Sequence, residues 1–144
     1  MGHRILVLGL AVMVCGCADG AGKKAHTHVK VSRPYVALTF DDGPDAEVLP
    51  KLLDLFKEAG VKATFYLNGD NVLKHPALAK RIHAEGHEIG NHSKTHTRLP
   101  ECADIAAVRA EIVETQEIIE AHAGVVPATF RAPYLAYDAR VWEV

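Results

Sequence analysis

Cysteine is scarce in this 144-residue chain, where only Cys15, Cys17 and Cys102 occur. The first two fall in an apolar leader; once that leader is processed, Cys102 has no intramolecular partner and no disulfide framework can be built. An excess of charge is also missing. The formal net charge is -2, without a basic stripe or interleaved aromatic and basic residues, which sets nucleic-acid binding aside. No apolar run approaches the roughly 20 residues of a membrane span. Repeats and low-complexity blocks are absent, and with 49% hydrophobic and 24% charged residues nothing in the composition points to disorder. The length suits one hydrophobic core rather than two domains.

What is present begins with an address. Arg4 precedes the apolar run Ile5 to Val14, and Cys15, Gly16, Cys17 and Ala18 follow. Residues 1–17 read as a secretory signal sequence. Val14-Cys15-Gly16-Cys17 is also similar to a bacterial lipoprotein signal, in which cleavage before Cys17 leaves that residue lipidated. Gly16 fits that pattern, whereas Cys15 is an unusual occupant of its position. Residues 18–34 form a polar linker whose His26 and His28 read as solvated rather than as ligands. The expectation is an exported protein of the bacterial envelope, lipid-anchored through Cys17 or secreted. Losing Arg4 with the signal takes the formal charge from -2 to -3.

From Tyr35 onward strand and helix signals alternate. The expected order is a strand over 35–40, a helix over 47–59, a strand over 61–67, a helix over 76–85, a strand over 87–90, a helix over 103–121 and a strand over 125–130. Val48, Leu49, Leu52, Leu53 and Phe56 share one face of the first helix, with Pro50 in its first turn and Gly60 closing it. In the long helix, Ile105, Val108, Ile112 and Ile119 form the buried stripe, while Glu101, Arg109, Glu111, Glu114 and Glu117 are left to solvent. Pro127 has to sit at the start of the fourth strand or at an irregularity in it. Val141 to Val144 reads as the opening turn of a further helix. This is an α/β pattern with parallel strands. It puts the polar segments 41–45, 91–97 and 131–134 after strand ends, where such folds build active sites.

Three constellations carry chemistry. Asp41 and Asp42 are adjacent at a strand end, so their side chains diverge and can serve two roles, one at a metal and one as a proton acceptor. They equally suit loop aspartates that cap the next helix. His92 and His96 stand four positions apart, a spacing that brings two imidazoles together on a helix or tight turn and suits a divalent cation. Surface histidines are the plain alternative. Arg131-Ala132-Pro133-Tyr134 supplies an arginine that could orient a carboxylate and a backbone N–H that could face an oxyanion, or a surface ion pair.

Taken in order, Thr39-Phe40-Asp41-Asp42-Gly43, His92-Ser93-Lys94-Thr95-His96 and Arg131-Ala132-Pro133-Tyr134 resemble the first three motifs of the polysaccharide deacetylase family. That family is also known as the NodB homology domain or carbohydrate esterase family 4. The resemblance covers residues 35–144 and implies the N-terminal portion of a distorted (β/α) barrel. It implies Asp41 as catalytic base, positioned by Arg131, and Asp42, His92 and His96 as ligands of zinc, or of cobalt or another divalent ion. Ser93 would support the histidine loop. The Tyr134 N–H would help hold the oxyanion, and Pro133 and Tyr134 would wall the substrate groove. The implied reaction is metal-dependent hydrolysis of N-acetyl groups on N-acetylglucosamine-containing polysaccharide, peptidoglycan or chitin-like, with water activated by the metal. The family's later tryptophan and histidine motifs have no match after Tyr134, and neither His122 nor Trp142 occupies their positions. No general acid is identified, so the alternative is an inactive remnant that binds metal or envelope glycan. No protein partner is indicated.

Overall fold

The computed structural model describes residues 36–144. The signal sequence (1–17), Cys17, the linker (18–34) and Tyr35 lie outside the described residues. The fold is organised by β2 (Thr64–Leu67), every residue of which is buried. That burial follows from its place between two parallel neighbours, β1 (Thr39–Gly43) on one edge and β3 (Glu88–Asn91) on the other. A central strand covered on both faces reads as continuous hydrophobicity rather than alternation.

Helix α1 (Leu49–Ala59) connects β1 to β2, burying Leu49, Leu53 and Phe56. Pro50 lies in its first turn, and Gly60 closes it at φ 65°. In the turn that leads into the helix, Asp45 accepts from the N–H groups of Glu47 and Val48 at 2.9 and 2.8 Å. Those two bonds hold its carboxyl below the ordinary carboxylate range. Neither Asp41 nor Asp42 caps this helix: Asp45 holds the turn ahead of it, and Val48 at the N-cap makes no side-chain hydrogen bond. Helices α2 (Gly69–Lys74) and α3 (Pro76–Ala84) connect β2 to β3, and α4 (Ile105–Ala123) packs against both. Asp104 caps α4 by accepting from the Ala107 N–H at 2.8 Å, and Gly124 ends it at φ 77°. The core gathers Leu53, Phe65, Leu67, Val72, Ile82, Ile89 and Ile119. Among the described residues the sheet stays open, as a three-stranded parallel portion of a (β/α) barrel. Beside it a cavity of about 580 Å³ is lined in part by Tyr66, Phe130, Leu135, Tyr137 and Trp142. No helix among the described residues is long and apolar enough to cross a membrane.

Several expectations are corrected. The first strand runs over Thr39–Gly43 rather than 35–40, so the acidic pair lies within it. The fourth strand shrinks to one parallel bridge between Asn91 and Phe130, because Pro127 lacks an N–H and its carbonyl is taken by the Gln116 side chain. Val48 and Ile105 are exposed at helix starts, where no neighbouring element covers them. Glu111 is half-buried and hydrogen-bonded instead of solvated. Helix α2 escaped notice because Asn68-Gly69-Asp70-Asn71 has the composition of a turn. Residues 139–143 form a 3₁₀ turn.

His87 introduces a pH dependence into this core. It is 4% exposed, its Nδ1 accepts from the Ala63 N–H at 3.2 Å, and it meets the Phe65 ring edge-on at 5.4 Å. Burial first, and then the nearby Lys62 charge, push its pKa below the ordinary 6.5, with Glu85 opposing. Below pH 6.5 the unfolded chain therefore takes up a proton that the folded chain refuses, and stability falls as pH drops toward the depressed value. A His87→Asn variant, which keeps an acceptor for Ala63, should flatten part of this slope. Urea unfolding midpoints at pH 7.5 and 5.5 check this; an unchanged difference between the two would contradict it.

Candidate metal centre

The end of β1 is irregular in a way that serves the site. Phe40 pairs with Phe65 and Gly43 with Leu67, so three steps along β1 match two along β2. The extra residue makes a bulge, and Asp42 sits there at φ 68°. A bulge re-aims side chains that strict alternation would send to opposite faces. The Asp42 carbonyl is held by the Asn71 side-chain amide at 2.8 Å, and the Gly43 carbonyl accepts from the Asn68 N–H at 3.0 Å. Helix α2 and the residue before it therefore brace the turn.

The two histidines come from the segment after β3, which is an irregular loop rather than a helix. Ser93 and His96 both adopt left-handed backbone, at φ 65° and 61°. Asn91, 1% exposed, anchors the loop's start: its side-chain oxygen accepts from the Ser93 N–H at 2.9 Å, and its amide donates to the Ile112 carbonyl at 2.8 Å. Ser93 contributes through its backbone, its carbonyl accepting from the Gly69 N–H at 3.1 Å. Its buried hydroxyl has no hydrogen-bond partner among the described residues.

His92 is 2% exposed, and its Nδ1–H donates to the Arg131 carbonyl at 2.7 Å. Because a carbonyl only accepts, the proton lies on Nδ1 and Nε2 presents a lone pair. Burial holds this imidazole below its ordinary pKa, against the opposing pull of that hydrogen bond and of Asp41 and Asp42. The His92 Nε2 lies 3.5 Å from Asp42 Oδ1, and the His96 Nε2 lies 3.1 Å from the same oxygen. One ligand atom from each of the three residues falls within a 4.8 Å cluster. The carboxylate oxygen and the His92 nitrogen are both acceptors, so their convergence is relieved by a cation. One carboxylate and two imidazoles with an open side fit a divalent metal of the catalytic zinc type. The tether on His92 Nδ1 is the outer-shell bond such ligands make.

Asp41 stands beside this cluster with a different partner. Arg131 Nη1 donates to Asp41 Oδ1 at 2.7 Å and to Thr39 Oγ1 at 3.1 Å. The guanidinium carbon lies 4.0 Å from the centroid of the Tyr66 ring, a cation–π contact. Tyr66 can occupy that place because residue 90 is glycine; a Cβ there would come within 2.4 Å of its ring. Tyr134, at φ 56°, turns its ring outward, 4.6 Å from the His96 ring and under the Arg98 guanidinium at 5.3 Å. Pro133 is buried behind it. The structure thus brings Asp41, Asp42, Ser93, His92, His96, Arg131, Pro133 and Tyr134 to one end of the sheet. Sequence reasoning passed over Asn68, Asn71 and Asn91. Of these, Asn91 carried a signal, as the residue preceding the first histidine at a strand end.

Residues 28–144 match the family described as polysaccharide deacetylase. The peptidoglycan-N-acetylglucosamine deacetylase of Bacillus cereus is 49% identical over 107 residues, which cover 72% of this chain and 38% of that protein. A chitooligosaccharide deacetylase of Rhizobium leguminosarum bv. trifolii is 41% identical, with coverage of 74% and 49%. Among solved structures, the Bc1960 peptidoglycan N-acetylglucosamine deacetylase in complex with 4-naphthalen-1-yl-N-oxidanyl-benzamide superposes with a TM-score of 0.71 at 45% identity. That match covers 74% of this chain and 50% of that one. The chain therefore spans half or less of the length of these relatives.

Proposed function

Because the chain belongs to the polysaccharide deacetylase family, we propose that it carries the metal-binding and water-attacking part of an N-deacetylase acting on N-acetylglucosamine-containing envelope glycan. One observation carries the reading: the Asp42, His92 and His96 cluster stands beside an Asp41 already paired with Arg131. Zinc is the metal this donor set suits best, with cobalt as a working substitute. When bound there, the metal supplies a Lewis acid that polarises an amide carbonyl and acidifies water.

The chain's own residues do the rest. Asp42, His92 and His96 hold the metal. Asp41, with Oδ1 engaged by Arg131, takes the proton of the attacking water on Oδ2. The Tyr134 N–H faces the oxyanion as it develops, while Pro133 and the Tyr134 ring wall the groove. Ser93 steadies the loop through its backbone. Named relatives act on peptidoglycan and on chitooligosaccharides, so N-acetylglucosamine oligomers are the probe. The leader over 1–17 supports an exported location, either lipid-anchored through Cys17 or secreted after simple cleavage.

A second reading, metal or glycan binding without turnover, is supported by where the other described histidines lie. His75 ends α2, His83 lies on α3, His87 is in the core, and His122 is exposed in the last turn of α4. Among the described residues none of these four is hydrogen-bonded to Asp41, whose side chain pairs with Arg131. Acetate release from N-acetylglucosamine oligomers, with and without added zinc, separates the two. Metal-dependent release supports the enzyme, while Co(II) binding without release supports the binder.

A further inference from the structure

Glu111 lies on α4, seventeen residues from the loop it touches. Its Oε2 accepts from the backbone N–H groups of Lys94 and Thr95, each at 2.9 Å. Its Oε1 accepts from the Thr95 hydroxyl at 2.7 Å. One carboxylate thus grips the two residues that immediately precede His96. We propose that Glu111 is a positioning residue for the metal centre, setting the path of the 93–96 loop so that His96 reaches Asp42 and His92. The proposal rests on the metal reading given above.

The two histidines are held very differently. His92 is fixed by its own surroundings: burial, the Nδ1 bond to Arg131, and a bond from the Asn68 amide to its carbonyl at 2.9 Å. His96 is partly exposed and has ring contacts with His92 and Tyr134. It also takes up left-handed backbone, a conformation that a non-glycine residue keeps only where its surroundings impose it. Lys94 and Thr95 are where that imposition enters. A carboxylate accepting backbone N–H groups makes charge-assisted bonds, stronger than a neutral amide would make. Lys94 adds a second link to α4 by pairing with Glu114 through its own side chain.

Co(II) titration of the full chain, followed by visible absorption, tests this without requiring turnover. Glu111→Gln keeps the shape and loses the charge; the Co(II) Kd should rise about tenfold. Glu111→Ala removes the grip, and the Kd should rise by about 100-fold, with a changed spectrum as His96 leaves the metal. Retention of part of the affinity in the Gln variant marks positioning through the carboxylate rather than general loosening. If the Ala variant fails to fold, the Gln variant decides alone. A wild-type Kd and spectrum in a folded Glu111 variant overturns the role while leaving the metal reading intact. A wild-type chain that binds no Co(II) overturns both.

Discussion

Replacing Asp41 with Asn lowers acetate release by about two to four orders of magnitude while leaving Co(II) affinity unchanged, the loss typical of removing a positioned general base. The substitution is nearly isosteric. The Asn oxygen can still accept from Arg131 Nη1, now 2.7 Å from Asp41 Oδ1, so the arginine and its stacking on Tyr66 need not move. What disappears is the capacity to accept a proton. Asp41 is absent from the cluster formed by Asp42, His92 and His96, which is why metal affinity should be untouched. Acetate assays paired with Co(II) titration check both halves. An Asp41→Asn protein that releases acetate at the wild-type rate would remove Asp41 from the mechanism.

Replacing His96 with Ala has the opposite signature, because binding and turnover are lost together. The site draws one donor from each of three residues, and catalytic zinc sites of this class use three protein ligands. Two remaining donors should hold the metal too weakly to survive dialysis. His96 is preferred to His92 for the test because it is partly exposed, whereas His92 is buried and tethered to Arg131. Truncating His92 would open a void and orphan a carbonyl. Metal content after dialysis, read beside the unfolding midpoint, gives the answer. Retention of stoichiometric zinc by a folded His96→Ala protein would remove His96 from the ligand set. Chelation of the wild-type chain should likewise abolish acetate release, and added zinc should restore it.

Much of this site was legible in sequence because its residues fall where a hydrophobic run stops. The Asp41–Asp42, His92 to His96 and Arg131 to Tyr134 segments each follow a strand-like stretch, and parallel strands deliver their C-terminal ends to one edge. The conformation that aims them was not legible. Bulged pairing of β1 depends on its register with β2, a relation between two segments that neither contains alone. The same applies to Asn91 and Glu111, polar residues whose bonds reach across the fold to partners roughly 20 positions away. On a helical wheel Glu111 looks like any surface glutamate. Pro127 announces a break in the expected strand but not its extent: only a single bridge remains, since the ladder there lacks a donor and its carbonyl turns to Gln116.

Arg131 meets the two halves of the site through chemically different parts of itself. Its guanidinium holds Asp41, whereas its main-chain carbonyl fixes the proton on His92. That carbonyl is set in place by the Arg131 N–H bond to the Asn91 carbonyl at 2.9 Å, which every substitution at this position except proline keeps. Substitution at residue 131 can therefore silence proton transfer while the histidine stays correctly protonated and oriented for a cation. On the deacetylase reading proposed above, one substitution at residue 131 would end turnover while Asp42, His92 and His96 stay arranged for a cation.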